Sequence, residues 1–217
     1  MTPQLTLEAL LAEARTFADT ESGHLEPALY GVTDGKAIGT YLEQKFRTFL
    51  KARYAFAEGN SALGIDFPSL DVDMKVTSVR RPQSSCPYKS ARQKIFGLGY
   101  SLLVFVYLKT DDPVGSTGRL EITHTVFVDK ARTADFQTTT GLTAIIENEG
   151  NKDDILAFFQ ERMLPVDDVQ ASAIAEELLV QAPEIGYLTI SNALQWRLQY
   201  SRVIEKAGEI DGIQRLK

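Results

Sequence analysis

The sequence predicts an α/β protein in which a mixed β-sheet core is flanked by helices and followed by a helical C-terminal subdomain. Three observations carry this expectation. An alternating run from Leu70 to Val79 and an apolar run from Tyr100 to Leu108 have strand character, and a short helix between them implies a crossover connection, hence a mixed sheet. Beyond Lys130 the apolar period becomes helical. A length of 217 residues with 44% hydrophobic content is enough to bury a sizeable core, either as one domain or as one domain with a small appendage. The expected division is a core over residues 1–150 and a helical subdomain over 151–217.

Taken in order, Thr33-Asp34-Gly35-Lys36 opens an amphipathic helix through about Phe56, with Ile38, Leu42, Phe46, Phe49 and Leu50 at helical spacing and Glu43 in its first half. Gly64 to Lys75 reads as a hairpin. In an extended strand Asp71, Asp73 and Lys75 share one face, while Val72, Met74 and Val76 take the other and can pack on a core. Pro68 limits ladder pairing and favours a bend, so the Asp66 carboxylate can return beside Asp73. Two carboxylates can hold a hard divalent cation such as Mg²⁺. The plain alternative for an Asp-x-Asp-x-Lys strand is a solvated row of charges.

Ser90 to Leu98 reads as a short helix ended by Gly97 and Gly99, and Tyr100 to Leu108 as a buried strand. Asp111 to Gly115 is a turn. Arg119 to Asp129 forms a further strand with Leu120, Ile122, His124, Val126 and Val128 on one face, where His124 is expected as a hydrogen-bonded core histidine. Helices are expected over Ala134–Glu147, Lys152–Met163, Val169–Gln181 and Ser191–Ala207. The last would carry a polar stripe of Asn192, Gln195, Gln199, Arg202 and Lys206. An alternative parse breaks it near Trp196-Arg197-Leu198 into two shorter helices, loosely resembling a winged helix-turn-helix.

A helix carrying Gly35-Lys36-Ala37-Ile38-Gly39-Thr40-Tyr41-Leu42-Glu43, followed by Asp66-Phe67-Pro68 and then Val72-Asp73-Met74-Lys75, resembles the PD-(D/E)xK nuclease superfamily. In local wording it is most similar to the MutH mismatch repair endonuclease family and its restriction-enzyme relatives. The resemblance covers Gly35 to Ser78, roughly a fifth of the chain. It implies a restriction-endonuclease-like fold, metal binding by Asp66 and Asp73, a Lys75 that orients or activates the attacking water, and Glu43 as an accessory acidic residue. Asp73 stands where many members have Glu. Asp71 has no family counterpart and reads as a solvated rim residue or as a support for the ligands.

Composition narrows the chemistry. One cysteine, Cys86, excludes an internal disulfide, and with only His24 and His124 a Cys/His zinc site is not available; this also argues against the His-dependent nuclease folds, and an oxygen-ligated Mg²⁺ or Mn²⁺ site is expected. Cys86 is expected as a small packed residue. Gly31 to Ala37 has one residue too few for a phosphate-binding loop and lacks Ser or Thr after its lysine, so no nucleotide cofactor is expected. The tail from Glu205 to Gly212 lacks calcium-loop spacing. No apolar run approaches the roughly 20 residues of a membrane span. The N-terminus lacks a basic region followed by an apolar stretch, and a cytoplasmic location without membrane attachment is expected.

The net charge of −6 argues against bulk attraction to nucleic acid, yet its distribution reverses that. Between Asp73 and Asp111 no acidic residue occurs, while Lys75, Arg80, Arg81, Lys89, Arg92, Lys94 and Lys109 do. Arg80 to Tyr88 is the best candidate DNA loop. Its Arg80, Arg81, Gln83, Ser84, Ser85 and Tyr88, followed by Lys89, Ser90, Arg92, Gln93 and Lys94, can grip phosphates or read base edges, and Gln195, Gln199 and Arg202 could read from the C-terminal helix.

The combined expectation is a Mg²⁺-dependent type II restriction endonuclease, with residues 1–150 as the nuclease core and 151–217 as a subdomain that could also touch DNA. It would cut double-stranded DNA to 5′-phosphate and 3′-hydroxyl ends and act as a homodimer if both strands of a palindrome are cut. The alternatives are a monomeric repair nickase and a non-enzymatic winged-helix DNA-binding regulator whose Asp/Lys hairpin is only structural.

Overall fold

The structure is a computed structural model that describes residues 2–59, 64–85, 88–190 and 197–217. Helices α1 (Leu7–Ser22) and α2 (Gly35–Lys51) flank strand β1 (Leu25–Glu26), and strands β2 (Val72–Ser78) and β3 (Gln83–Ser85) follow. Next come α3 (Ala91–Phe96), β4 (Ser101–Asp112) and β5 (Thr117–Val128), then helices α4 (Phe136–Glu147), α5 (Lys152–Glu161) and α6 (Asp168–Val180). The chain closes with β6 (Thr189–Ile190), β7 (Arg197–Gln199), α7 (Ser201–Lys206) and β8 (Ile213–Arg215).

The main sheet runs β1-β5-β4-β2, with β8 also on β5. Strand β2 is parallel to β4, and β4 is antiparallel to β5, so the sheet is mixed. The crossover from β2 to β4 passes through β3 and α3. At its end Gly97, with φ 88°, takes a conformation that suits glycine, and a Cβ there would stand 2.8 Å from Thr133 Oγ1.

Strand β4 is a continuous apolar run because both of its faces are covered. Leu103, Phe105 and Tyr107 join α1, α2, Val72 and Met74 in one core, while Leu102, Val104 and Val106 join Leu188, Ile190, Leu198, Tyr200 and Val203 in a second. A third cluster links Ala91 and Ile95 of α3 with Leu142, Ile155, Phe159, Ile174 and Leu178 of α4, α5 and α6. The expected boundary near residue 150 falls between α4 and α5.

Several expectations are corrected. Helix α2 ends at Lys51 rather than near Phe56, because Ala55 bonds back to the N-terminal segment through Ala55 N to Pro3 O (2.8 Å) and Leu5 N to Ala55 O (2.9 Å). The face of β5 switches partway. Val106 pairs with His124 but Tyr107 with Ile122, so Thr123 is an extra residue, and Leu120 and Ile122 enter the first core while Val126 and Val128 enter the second. His124 is half-buried and its Nδ1 lies 3.1 Å from Thr123 Oγ1. A single helix over Ser191–Ala207 is overturned, since Arg197–Gln199 is a strand and the helix begins at Ser201. Pairing with β3 and complete burial of Leu198 outweigh the local helical period. Asn192, Gln195 and Trp196 lie outside the described residues, as does Cys86.

Candidate active site

Helix α2 starts where the Asp34 carboxylate accepts the N–H groups of Lys36 (3.1 Å) and Ala37 (3.2 Å). Leu42, Phe46 and Leu50 sink into the first core, which fixes the helix's rotation. Gly35, Gly39, Glu43 and Arg47 then recur at one-turn intervals along one side.

The second part of the site is the turn into β2. Phe67 is fully buried and packs its ring on Phe56 (5.6 Å) and Phe46 (6.4 Å). It also pairs with Val72 across the Pro68–Leu70 turn, through Phe67 N to Val72 O at 2.9 Å. This folds Asp66 back on the strand, where its Oδ2 accepts Met74 N–H at 2.8 Å. Asp71, in the left-handed region with φ 53°, precedes the strand and is exposed 3.7 Å from Lys130 Nζ. It therefore does not share the strand face of Asp73 and Lys75.

Asp73 is 3% exposed and stands beside the Asp66 carboxylate. Its Oδ2 makes an ion pair with Lys75 Nζ at 2.5 Å, in a geometry outside that of a hydrogen bond. Burial above all pushes its carboxyl up from 3.8 to about 7, Lys75 opposes the rise, and Asp66 adds to it. Glu43 is also raised, first by burial and then by the charge of Asp66. Arg47, from the turn of α2 after Glu43, donates through Nη2 to Asp66 Oδ1. Three carboxylates thus converge, with two cations holding them.

The donor set fits a hard cation of few protein ligands. Asp73 Oδ2 is a buried oxygen accepting no hydrogen bond, and a divalent ion would relieve the Asp66–Asp73 repulsion. Among the described residues no group of three or more acidic, histidine or cysteine side chains could enclose a metal alone. A two-carboxylate set, completed by water and substrate phosphate, is a usual Mg²⁺ arrangement.

Glu43 and Lys75 open into a cleft of about 540 Å³. Its other walls include Lys36 and Thr40 of α2, Thr77 and Ser78 of β2, Arg81, Gln83 to Ser85, and Arg197 of β7. Four basic groups against one acidic group make this a local anion site on a chain of net charge −6.

The structure thus gathers Glu43, Asp66, Asp73 and Lys75 and sets Arg81, Gln83, Ser84 and Ser85 beside them. Arg80 is exposed on the preceding turn and Lys89 is exposed further on. Other predicted contacts have internal partners. Tyr88 is buried with its hydroxyl donated to Thr133 O, Lys94 is 2% exposed, and Ser90 caps α3. Arg92 grips Glu177 of α6 with two bonds of 2.6 and 2.8 Å, and the Gln93 side chain accepts Lys89 N–H at 2.7 Å. Arg202 lies over the Phe136 ring at 3.7 Å, Gln199 is half-buried on β7, and Gln195 is outside the described residues.

Sequence reading missed Arg47, Thr77 and Arg197. Arg47 was legible as the residue one turn beyond Glu43. Thr77 Oγ1 accepts Gln83 N–H at 2.9 Å and pins the loop to β2; nothing local signals that, nor the arrival of Arg197 at the cleft.

Known proteins supply an independent comparison. The family model for the type II restriction enzyme NspV matches residues 4–215. The curated type II restriction enzyme NspV of Nostoc sp. (strain ATCC 29411 / PCC 7524) is 64% identical over 209 residues, covering 96% of this chain and 95% of the relative. No solved structure matches.

Proposed function

The chain belongs to the type II restriction enzyme NspV family, and from that premise we propose that it is a Mg²⁺-dependent, sequence-specific endonuclease hydrolysing phosphodiesters of double-stranded DNA to 5′-phosphate and 3′-hydroxyl ends. The observation that carries the chemistry is the convergence of Asp66 and Asp73 beside Lys75, which with Glu43 lines a basic cleft.

Asp66 and Asp73 would hold the Mg²⁺, which supplies Lewis-acid polarisation of the phosphate and stabilisation of the leaving oxygen when bound. Met74 N–H and Arg47 hold Asp66 in place, so little reorganisation is needed to present both carboxylates. Lys75, which lines the cleft, orients the attacking water and stabilises negative charge on the phosphoryl oxygens. Glu43, raised by burial, is suited to exchange a proton with that water. Arg81 and Lys36 lie where the flanking phosphates would run. This arrangement supports the resemblance to the PD-(D/E)xK superfamily and to the MutH family as part of the same reading.

Cutting both strands of a two-fold site calls for two copies of the chain, so a homodimer is part of the proposal. No helix among the described residues is long and apolar enough to cross a membrane, and a restriction enzyme's access to intruding DNA favours the cytoplasm.

The decisive test is incubation of purified protein with plasmid DNA with and without Mg²⁺, followed by sequencing of the ends. Discrete linear fragments with 5′-phosphates, only in Mg²⁺, are expected. Relaxed circles would replace this reading with a nickase, and binding without cleavage would replace it with a regulator.

A further inference from the structure

Strands β3 and β7 form an antiparallel ribbon in which Gln83 faces Gln199, Ser84 faces Leu198 and Ser85 faces Arg197, and β6 extends it on the far edge of β7, with Thr189 facing Gln199 and Ile190 facing Leu198, into a three-stranded sheet. Opposed residues of such a ribbon project to the same side, and successive residues to opposite sides. One side is committed to the interior, since Leu198 is completely buried in the second core and Ser84 Oγ lies 2.6 Å from Tyr200 Oη. The other carries Gln83, Ser85, Arg197 and Gln199. The first three are exposed and line the cleft that holds Lys75 and Glu43.

Resting on the endonuclease reading above, we infer that this ribbon enters the DNA major groove and reads base edges, with Arg197 taking a guanine and Gln83 with Gln199 taking adenine. Strand β3 is an edge of the β3-β7-β6 sheet, so at that edge β3 and β7 can present two strands to the major groove, which admits a two-stranded ribbon. Arg matches the paired acceptors of guanine, and a glutamine amide matches the acceptor and donor of adenine. The two cross-strand pairs are two residues apart, about 6.8 Å along a strand. That is about two base-pair steps at 3.4 Å each.

The ribbon is also stiff, as a reader of discrete positions must be. Tyr200 N–H donates to Pro82 O at 2.8 Å, and Thr77 Oγ1 ties Gln83 to the strand that bears Asp73 and Lys75. Recognition and cleavage therefore share one rigid base. The two glutamines that sequence reading assigned to separate elements are direct neighbours.

The test uses the full chain with Mg²⁺ and a panel of duplexes differing from the preferred site by single base pairs, scored as kcat/KM ratios. Arg197→Ala should lose discrimination at one G·C pair, and Gln83→Ala at an A·T pair about two steps away, each on the order of ten- to a hundredfold. Arg197→Lys keeps the charge without the two-pronged donor, so it should lose the same guanine discrimination while retaining overall affinity. Unchanged discrimination in these variants, or a uniform loss across all sequences, overturns the inference while leaving the endonuclease intact. A wild-type protein with no site preference overturns the endonuclease reading and the inference together.

Discussion

The Asp66 carboxylate accepts the backbone N–H of Met74 at 2.8 Å, so a side chain from the turn is tied to the strand residue between Asp73 and Lys75. The two partners stand eight positions apart in the chain, and Phe67 buried between them fixes the return. Together with the Arg47 ion pair, this bond holds one carboxylate against the other, and the expected chemistry depends on it.

Removal of the strand's polar pair should stop cleavage. Asp73→Ala and Lys75→Ala are each expected to reduce the single-turnover rate a hundredfold or more, the usual cost of losing an essential catalytic group. Folding should persist, because Val72 and Met74 carry the packing. Lys75→Ala should still bind DNA. If both variants retain more than about a tenth of the wild-type rate, the site lies elsewhere.

Metal dependence separates the carboxylates. Asp66→Asn keeps shape and loses charge, so its activity should fall and recover only at higher Mg²⁺ or with Mn²⁺, while Glu43→Gln should be milder. Titration of cleavage rate against Mg²⁺ decides this. A normal Asp66→Asn rate in limiting Mg²⁺ would remove Asp66 as a ligand.

The raised Asp73 carboxyl has a consequence for metal-free stability. A carboxyl whose folded pKa stands above its unfolded value binds its proton more tightly when folded, so its stabilisation is present below the unfolded value and lost as pH rises. Between about pH 4 and 7 the metal-free protein should lose about 2–4 kcal/mol from this group. Denaturant unfolding should show the slope, and Asp73→Asn should flatten it. Added Mg²⁺ should raise Tm more at pH 7.5 than at 5.5, because the ligand must be ionised. An equal rise at both would contradict the ligand assignment.

Phosphate grip and internal tethering can be told apart by salt. Neutralising Arg81 should weaken binding to every sequence and reduce the log–log salt slope by roughly 0.9 per lost contact. Arg92→Ala should leave that slope unchanged, since its guanidinium is engaged with Glu177. The exposed pair should cost at most about 1 kcal/mol of stability. A reduced slope for Arg92→Ala would place α3 on the DNA.

Much of the site was legible because its order is local. The alternation of Val72, Asp73, Met74 and Lys75 dictates which groups face the core, and helical spacing dictates the side on which Glu43 lies. The mixed sheet followed from a helix between two strands, and the apolar run of β4 from burial on both faces. What lay beyond the sequence rests on pairing between distant segments. Whether Tyr88, Arg92 and Lys94 meet solvent depends on Thr133, Glu177 and the packing of α3, none of them neighbours in the chain. Arg197 to Gln199 has the period of a helix but becomes a strand, because β3 offers unpaired backbone groups and the second core takes Leu198. Local period therefore determined the Asp66 turn and the Asp73–Lys75 strand, while long-range hydrogen bonding and burial alone decided which basic and amide groups reached the cleft.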